Sequence, residues 1–276
     1  AVAGATANKI YVTTSNGIYI YDITDVENPV ITGRIGQGND TDLYNGQTGD
    51  IINGGKYVFA VMQGGGLMCI DPLTDEVTPI ADANIQGVTQ TADGTIWYAT
   101  GAGTGDNVHS VFVALDPETL EEIDRVHMPA SIGTVQCSWG AWRSTAFKGD
   151  HTTGDLWFVT GAAGVMGGAS GDYYRYTPGT DPNGITPFFS LDGVTGINDF
   201  GEEVGQMTYG TPIFDPRNNR LVVMTGREGA ASGGYRDHWI HFVDGDSQEI
   251  TKTIKLNAYY WFQSLPILPD KHAAQL

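Results

Sequence analysis

The sequence predicts an all-β fold, a β-propeller of four-stranded blades, and three observations predict it. Hairpins recur along the chain, each built from alternating apolar runs around a Gly, Asn or Asp reversal. Each hairpin leads to a third strand that usually ends in Asp, and then to a more polar fourth strand. The composition agrees: 38 glycines, 11% aromatic and only 17% charged residues suit many short strands joined by tight turns.

The clearest hairpin covers residues 87–100, where Asp93-Gly94 supplies the positive φ angles of a tight reversal before the run Ile96-Trp97-Tyr98-Ala99-Thr100. It belongs to a third blade, completed by strands at 111–115 and 122–128. Upstream, a first blade takes residues 1–7 as a poor inner strand, then 9–14, 18–22 and 30–35. A second takes 50–52, 57–61, 67–71 and 76–80 around Asn53-Gly54-Gly55. Downstream, a fourth takes 144–147, 156–161, 173–176 and 185–191, its third strand lacking the Asp. A fifth takes 211–214, 220–226, 239–244 and 249–256. One extra inner strand, at 262–270, has no partners after it.

Four strands per unit, recurring about every 45–70 residues, is the propeller period. A β-helix would repeat over a shorter, stricter length, and a sandwich would show no four-strand unit. The chain is therefore expected to be a single propeller domain over residues 1–276. Asp22, Asp71, Asp116 and Asp244 are expected to cap the turns after the third strands, a structural task.

The formal charge of −18 argues against nucleic acid and anionic membrane surfaces as partners. No apolar run approaches the ~18 residues of a membrane span. The two cysteines exclude a disulfide framework, and Cys69 reads as a buried free thiol inside an alternating apolar run; Cys137 is the other. The chain opens at Ala1 without an initiator Met, which leads us to expect a processed or truncated start.

Propeller geometry places the loops leading into the inner strands, and those joining strands two and three, on one face around a central funnel. The candidate ligand-binding residues before the inner strands are Tyr44, Gln47, Gln86, Trp139, Trp142, Tyr209, Tyr260 and Trp261. Polar aromatics and amides placed there suit ligand stacking; the plain alternative is that they plug the funnel. The loops 63–66, 101–108, 161–171 and 226–237 are glycine-rich, and long loops on a rigid scaffold often carry specificity.

Catalysis finds little in the residues. Asp199, Glu202 and Glu203 form an acidic loop of the kind glycoside hydrolysis uses, but a chain with 32 acidic residues forms such clusters by chance. The six histidines are dispersed, and His238 and His241 flank Trp239 without a metal-ligand set. Neither Asp40-Thr41-Asp42 nor Asp244-Gly245-Asp246 completes a calcium loop. The glycine runs follow strands but open no helix, which rules out a dinucleotide cradle. No catalytic residue, metal or cofactor is expected.

The segment Ser15-Asn16-Gly17-Ile18-Tyr19-Ile20-Tyr21-Asp22 resembles the "SNGIWLYD" stretch of a Bacteroidetes surface-lipoprotein β-propeller family. Leu43-Tyr44-Asn45-Gly46-Gln47-Thr48-Gly49 is similar to its "LYSGQIG", and residues 259–270, Tyr-Tyr-Trp-Phe-Gln-Ser-Leu-Pro-Ile-Leu-Pro-Asp, to its "NYWFPSLPVFPD". That family includes the BtuG-type proteins. The resemblance implies a fragment of a seven-bladed propeller, lacking its first blades and a lipoprotein signal. It also implies lipid anchoring at the outer-membrane surface, cobalamin or a related corrinoid as ligand, and a TonB-dependent outer-membrane transporter as partner. Two other readings compete: a five-bladed glycan-binding or glycan-processing propeller, with Asp50 and Glu203 as its test residues, and a protein–protein interaction scaffold.

Overall fold

Alternating β-branched and aromatic residues form strands because their side chains pack on a pleated surface. Where both faces are covered, the strand becomes apolar throughout. The computed structural model describes residues 2–3, 8–14, 17–36, 48–62, 66–81, 85–100, 110–129, 131–132, 147–150, 152–160, 171–180, 184–208, 212–227 and 237–257. The expected strand at 262–270 lies outside them.

Five antiparallel sheets result. The first contains β1 (Val2–Ala3), β2 (Lys9–Thr14), β3 (Gly17–Asp22) and β4 (Val30–Ile35), in that order. The second contains β5 (Thr48–Asn53), β6 (Val58–Met62), β7 (Gly66–Ile70) and β8 (Val77–Ala81). The third contains β9 (Ile85–Gln90), β10 (Ile96–Thr100), β11 (Val111–Leu115) and β12 (Glu122–His127). The fourth contains β13 (Phe147–Gly149), β14 (Leu156–Thr160), β15 (Asp172–Tyr176) and β16 (Ile185–Ser190). The fifth contains β17 (Thr195–Ile197), β18 (Glu203–Thr208), β19 (Ile213–Asp215), β20 (Arg220–Arg227), β21 (Asp237–Asp244) and β22 (Ile250–Asn257). Sheets one to three belong to one compact unit (residues 1–131 with 141–144), and sheets four and five to another (132–140 with 145–276).

The inner strand expected at 211–214 in blade five is present as β19, but the blade has six strands and β18 shares the inner position with it. Thr208 of β18 opposes Thr225, and Ile213 of β19 opposes Val222, so five steps on one side meet three on the other. The eight-residue β20 is long enough to pair with both in succession.

In the first unit, period-2 alternation sends each strand to two neighbours. Val58, Ala60, Met68 and Ile70 pack with Tyr11, Ile18 and Ile20 of blade one. Phe59, Val61, Leu67 and Cys69 pack with Val88, Ile96 and Val113 of blade three. Blade two is therefore apolar on both faces. The approach is close: a Cβ at Gly54 would stand 2.5 Å from the Phe59 ring, so only glycine fits. Burial pushes the Cys69 thiol up to about 12, which leaves it an inert core residue, as the sequence suggested.

The turn-capping aspartates behave as expected. Asp22 accepts the Thr24 N–H, Asp71 that of Leu73, Asp116 those of Glu118 and Thr119, and Asp244 those of Asp246 and Ser247. In three blades the turn also closes the same way, with the N–H of Asp75, Leu120 or Gln248 donating to the carbonyl of Asp71, Asp116 or Asp244. Those three closing residues carry φ of +59°, +63° and +59°, a conformation that side chains resist.

Candidate functional site

An antiparallel blade gathers the starts of its first and third strands, and the ends of its second and fourth, at one edge. That edge receives the loops singled out from the sequence. Among the described residues, the inner strands of blades two, three and five are irregular. On β9, Ile85 opposes Thr100 and Gly87 opposes Ala99, which leaves Gln86 as the extra residue of a bulge. On β5, Thr48 opposes Met62 and Ile51 opposes Ala60, three steps against two. Blade five carries the larger interruption between β18 and β19. Bulges at one end of successive strands re-aim the chain where it enters the sheet.

This corrects the reading of Gln86. It does not sit in an open loop before the strand but within β9, buried at 1% exposure. The bulge starts the strand earlier than the alternation from Gly87 suggested. The other candidates, Tyr44, Gln47, Trp139, Trp142, Tyr209, Tyr260 and Trp261, lie outside the described residues. So do the loops 63–65, 101–109, 161–170 and 228–236, and the pair Asp40 and Asp42. In the sequence Tyr209 falls between β18 and β19, the two strands that share the inner position of blade five. Asp50, on β5, accepts the Ile51 N–H with its own carboxylate.

In the second unit the β17–β18 hairpin is fastened over this edge of blade five. The Gln206 amide donates to the Thr195 carbonyl at 2.9 Å. Buried Asp237, the first residue of β21, accepts the Asp199 N–H at 2.9 Å. Lys255 of β22 bonds Asp199 at 2.7 Å and approaches Asp237 at 3.5 Å; these carboxylates hold its ammonium above the usual pKa. The acidic loop expected around Asp199, Glu202 and Glu203 is thus an ordered hairpin. Glu203 lies in β18 and accepts the Thr195 hydroxyl, and Glu202 accepts the Asn198 amide.

Beneath the hairpin runs a polar line that the sequence reading missed, buried from Gln206 to His241 and ending on exposed Thr253. Thr225 donates to Gln206 Oε1 at 2.5 Å, and His241 Nε2 stands 2.5 Å from the same oxygen. That amide oxygen only accepts, so His241 carries its proton on Nε2. Its Nδ1 then accepts from the Thr253 hydroxyl at 2.8 Å. Burial pushes the imidazole down to about 4, and it is neutral near pH 7. Four polar residues, one on each of β18, β20, β21 and β22, were the available signal. Among the described residues, no group of three or more His, Cys, Asp or Glu could hold a metal.

Comparison with solved structures identifies the class. The Dos1 propeller matches with a TM-score of 0.53 at 8% identity, over 91% of this chain and 59% of that one. The tricorn protease matches with a TM-score of 0.54 at 12% identity, over 91% of this chain and 26% of that one. A chain of the mitotic checkpoint complex matches at 0.51 and 10% identity, over 91% and 64%. The described sheets are blades of a β-propeller, and the chain spans less than two thirds of each of these three. The chain belongs to the family defined by a domain of unknown function, DUF5074, whose model matches residues 1–269. No curated protein matches it in sequence. Among the described residues no helix is long and apolar enough to cross a membrane.

Proposed function

We propose that this chain is a non-catalytic, ligand-binding propeller that captures cobalamin or a related corrinoid. On this reading it acts at the cell surface in a lipid-anchored protein and passes its ligand to a TonB-dependent outer-membrane transporter. The observation that carries the non-catalytic part is how the carboxylates at the inner-strand edge are engaged. Asp199 and Asp237 are held by Lys255, Glu202 by Asn198 and Glu203 by Thr195. Acid–base catalysis needs one carboxyl to shed its proton and another to keep it. Carboxylates whose oxygens are taken up by neighbouring donors suit a scaffold better.

The resemblance around residues 15–22, 43–49 and 259–270 supports the corrinoid. A corrin presents a broad ring edge and many amides, which suit stacking on Tyr and Trp beside Gln donors. Tyr44, Gln47, Trp139, Trp142, Tyr209, Tyr260 and Trp261 are the residues proposed to supply them. Titration calorimetry of the intact protein with cyanocobalamin tests the reading: saturable heat at micromolar ligand supports it, and no heat overturns it.

A further inference from the structure

We propose a second binding element, independent of the corrinoid reading: the tip of the β17–β18 hairpin docks into an apolar pocket of a protein partner, with Lys and Arg bordering that pocket. Phe200 at the tip is 81% exposed and Ile197 on the same hairpin is 55% exposed. A single exposed apolar side chain is ordinary on a protein surface. This one stands on a loop built with unusual economy.

Buried Asn198 organises the tip. Its side-chain oxygen accepts the N–H groups of Phe200 and Glu202, its amide donates to Glu202, and its backbone carbonyl accepts from Gly201. Gly201 takes φ +82°, which glycine adopts without strain. Phe200 takes part in these hydrogen bonds only through its backbone N–H, so they place no demand on a phenyl group there. The hairpin is in turn fastened to blade five through Thr195, Asp199 and Lys255. An aromatic side chain presented on an ordered loop loses little freedom on binding, which is how anchor residues gain affinity.

Charge identifies the partner. Glu202 and Glu203 are exposed at the tip and Asp192 just before β17, and residues 191–205 contain no Lys, Arg or His, with, among the described residues, Asp199 alone paired to a cation, Lys255 of β22. Such a surface repels anionic lipid and a second copy of a chain with net charge −18. It fits a protein pocket with a basic border, whose complementary charge speeds encounter and sets register.

The test places a photo-crosslinking phenylalanine analogue at position 200 of the intact protein in its native cells, then identifies the adduct and its contact site by mass spectrometry. A discrete adduct to an apolar segment flanked by Lys or Arg is expected. With that partner purified, Phe200→Ala should weaken binding about 30-fold. Asp192→Lys should slow association and flatten its salt dependence. Leu73→Ala, at another exposed position in the first unit (68% exposed), should change nothing. No adduct, an adduct only to lipid or to a second copy, or Phe200→Ala binding as well as wild type would each overturn the proposal.

Discussion

Two joints between neighbouring blades, one in each unit, solve the same packing problem with different chemistry. Between blades two and three the contact is an apolar cluster in which Phe59, Val61 and Leu67 meet Val88, Ile96 and Val113. Between blades four and five, Trp157 stacks on Phe214 at 4.6 Å and meets Phe188 edge-on at 4.9 Å. There the Tyr173 hydroxyl also donates to Thr208 at 2.7 Å, and the line from Gln206 through His241 to Thr253 runs across blade five. The first joint is non-directional and indifferent to pH. The second relies on rings and hydrogen bonds at set positions, in the blade that carries the fastened hairpin. Directional bonds cost more when broken but hold one geometry, which suits the blade that must present a fixed surface.

Truncating the centre of either joint should have the largest effect. Phe59→Ala and Trp157→Ala each remove a fully buried ring and should each lower unfolding free energy by about 3–5 kcal/mol in urea denaturation. Equal losses would show that the polar joint is no weaker than the apolar one.

Acid should separate the two. His241 is held at about 4 in the folded chain, below its unfolded value near 6.5. A lowered folded pKa contributes stability that is whole above the unfolded value and is lost as pH falls through the folded one. Blade five should therefore lose up to about 3 kcal/mol between roughly pH 6.5 and 4, and the joint of blades two and three should lose nothing from this source. Hydrogen exchange of β20–β22 against β9–β11 across that range checks it. Parallel acid responses in the two regions would contradict the contrast.

Smaller changes refine the picture. Tyr173→Phe should cost about 1 kcal/mol by leaving the Thr208 hydroxyl without its donor, where a purely apolar joint would tolerate the loss. Gln248→Gly, at φ +59° on an exposed turn, should raise stability by about 0.5–1 kcal/mol, read as a shift in the denaturation midpoint.

How far the sequence carried depends on which residues are considered. Blades two and three were legible because runs such as Val58–Met62 and Gly66–Ile70 are apolar on both faces and bounded by glycine turns. The Asp caps were legible because the bond they make is local, two residues on. Blade five was read less well. The run Glu203-Val204-Gly205-Gln206-Met207-Thr208 has little apolar alternation and becomes a strand because β20 extends far enough to pair with it. Gln86 was misplaced because a bulge is a property of two strands and leaves no mark in one. His241 looked isolated because its partners come from strands that only the fold brings together. The hairpin's acids looked like a solvated loop because Asn198 and Lys255, which order them, announce nothing by spacing.

Calorimetry of cyanocobalamin with the intact wild-type protein and with a Tyr260→Ala, Trp261→Ala double variant tests the central claim most directly. Saturable micromolar binding by the wild type, weakened at least about tenfold in the variant, is the predicted result. Absence of binding to the wild type, or equal binding by the two proteins, would contradict it.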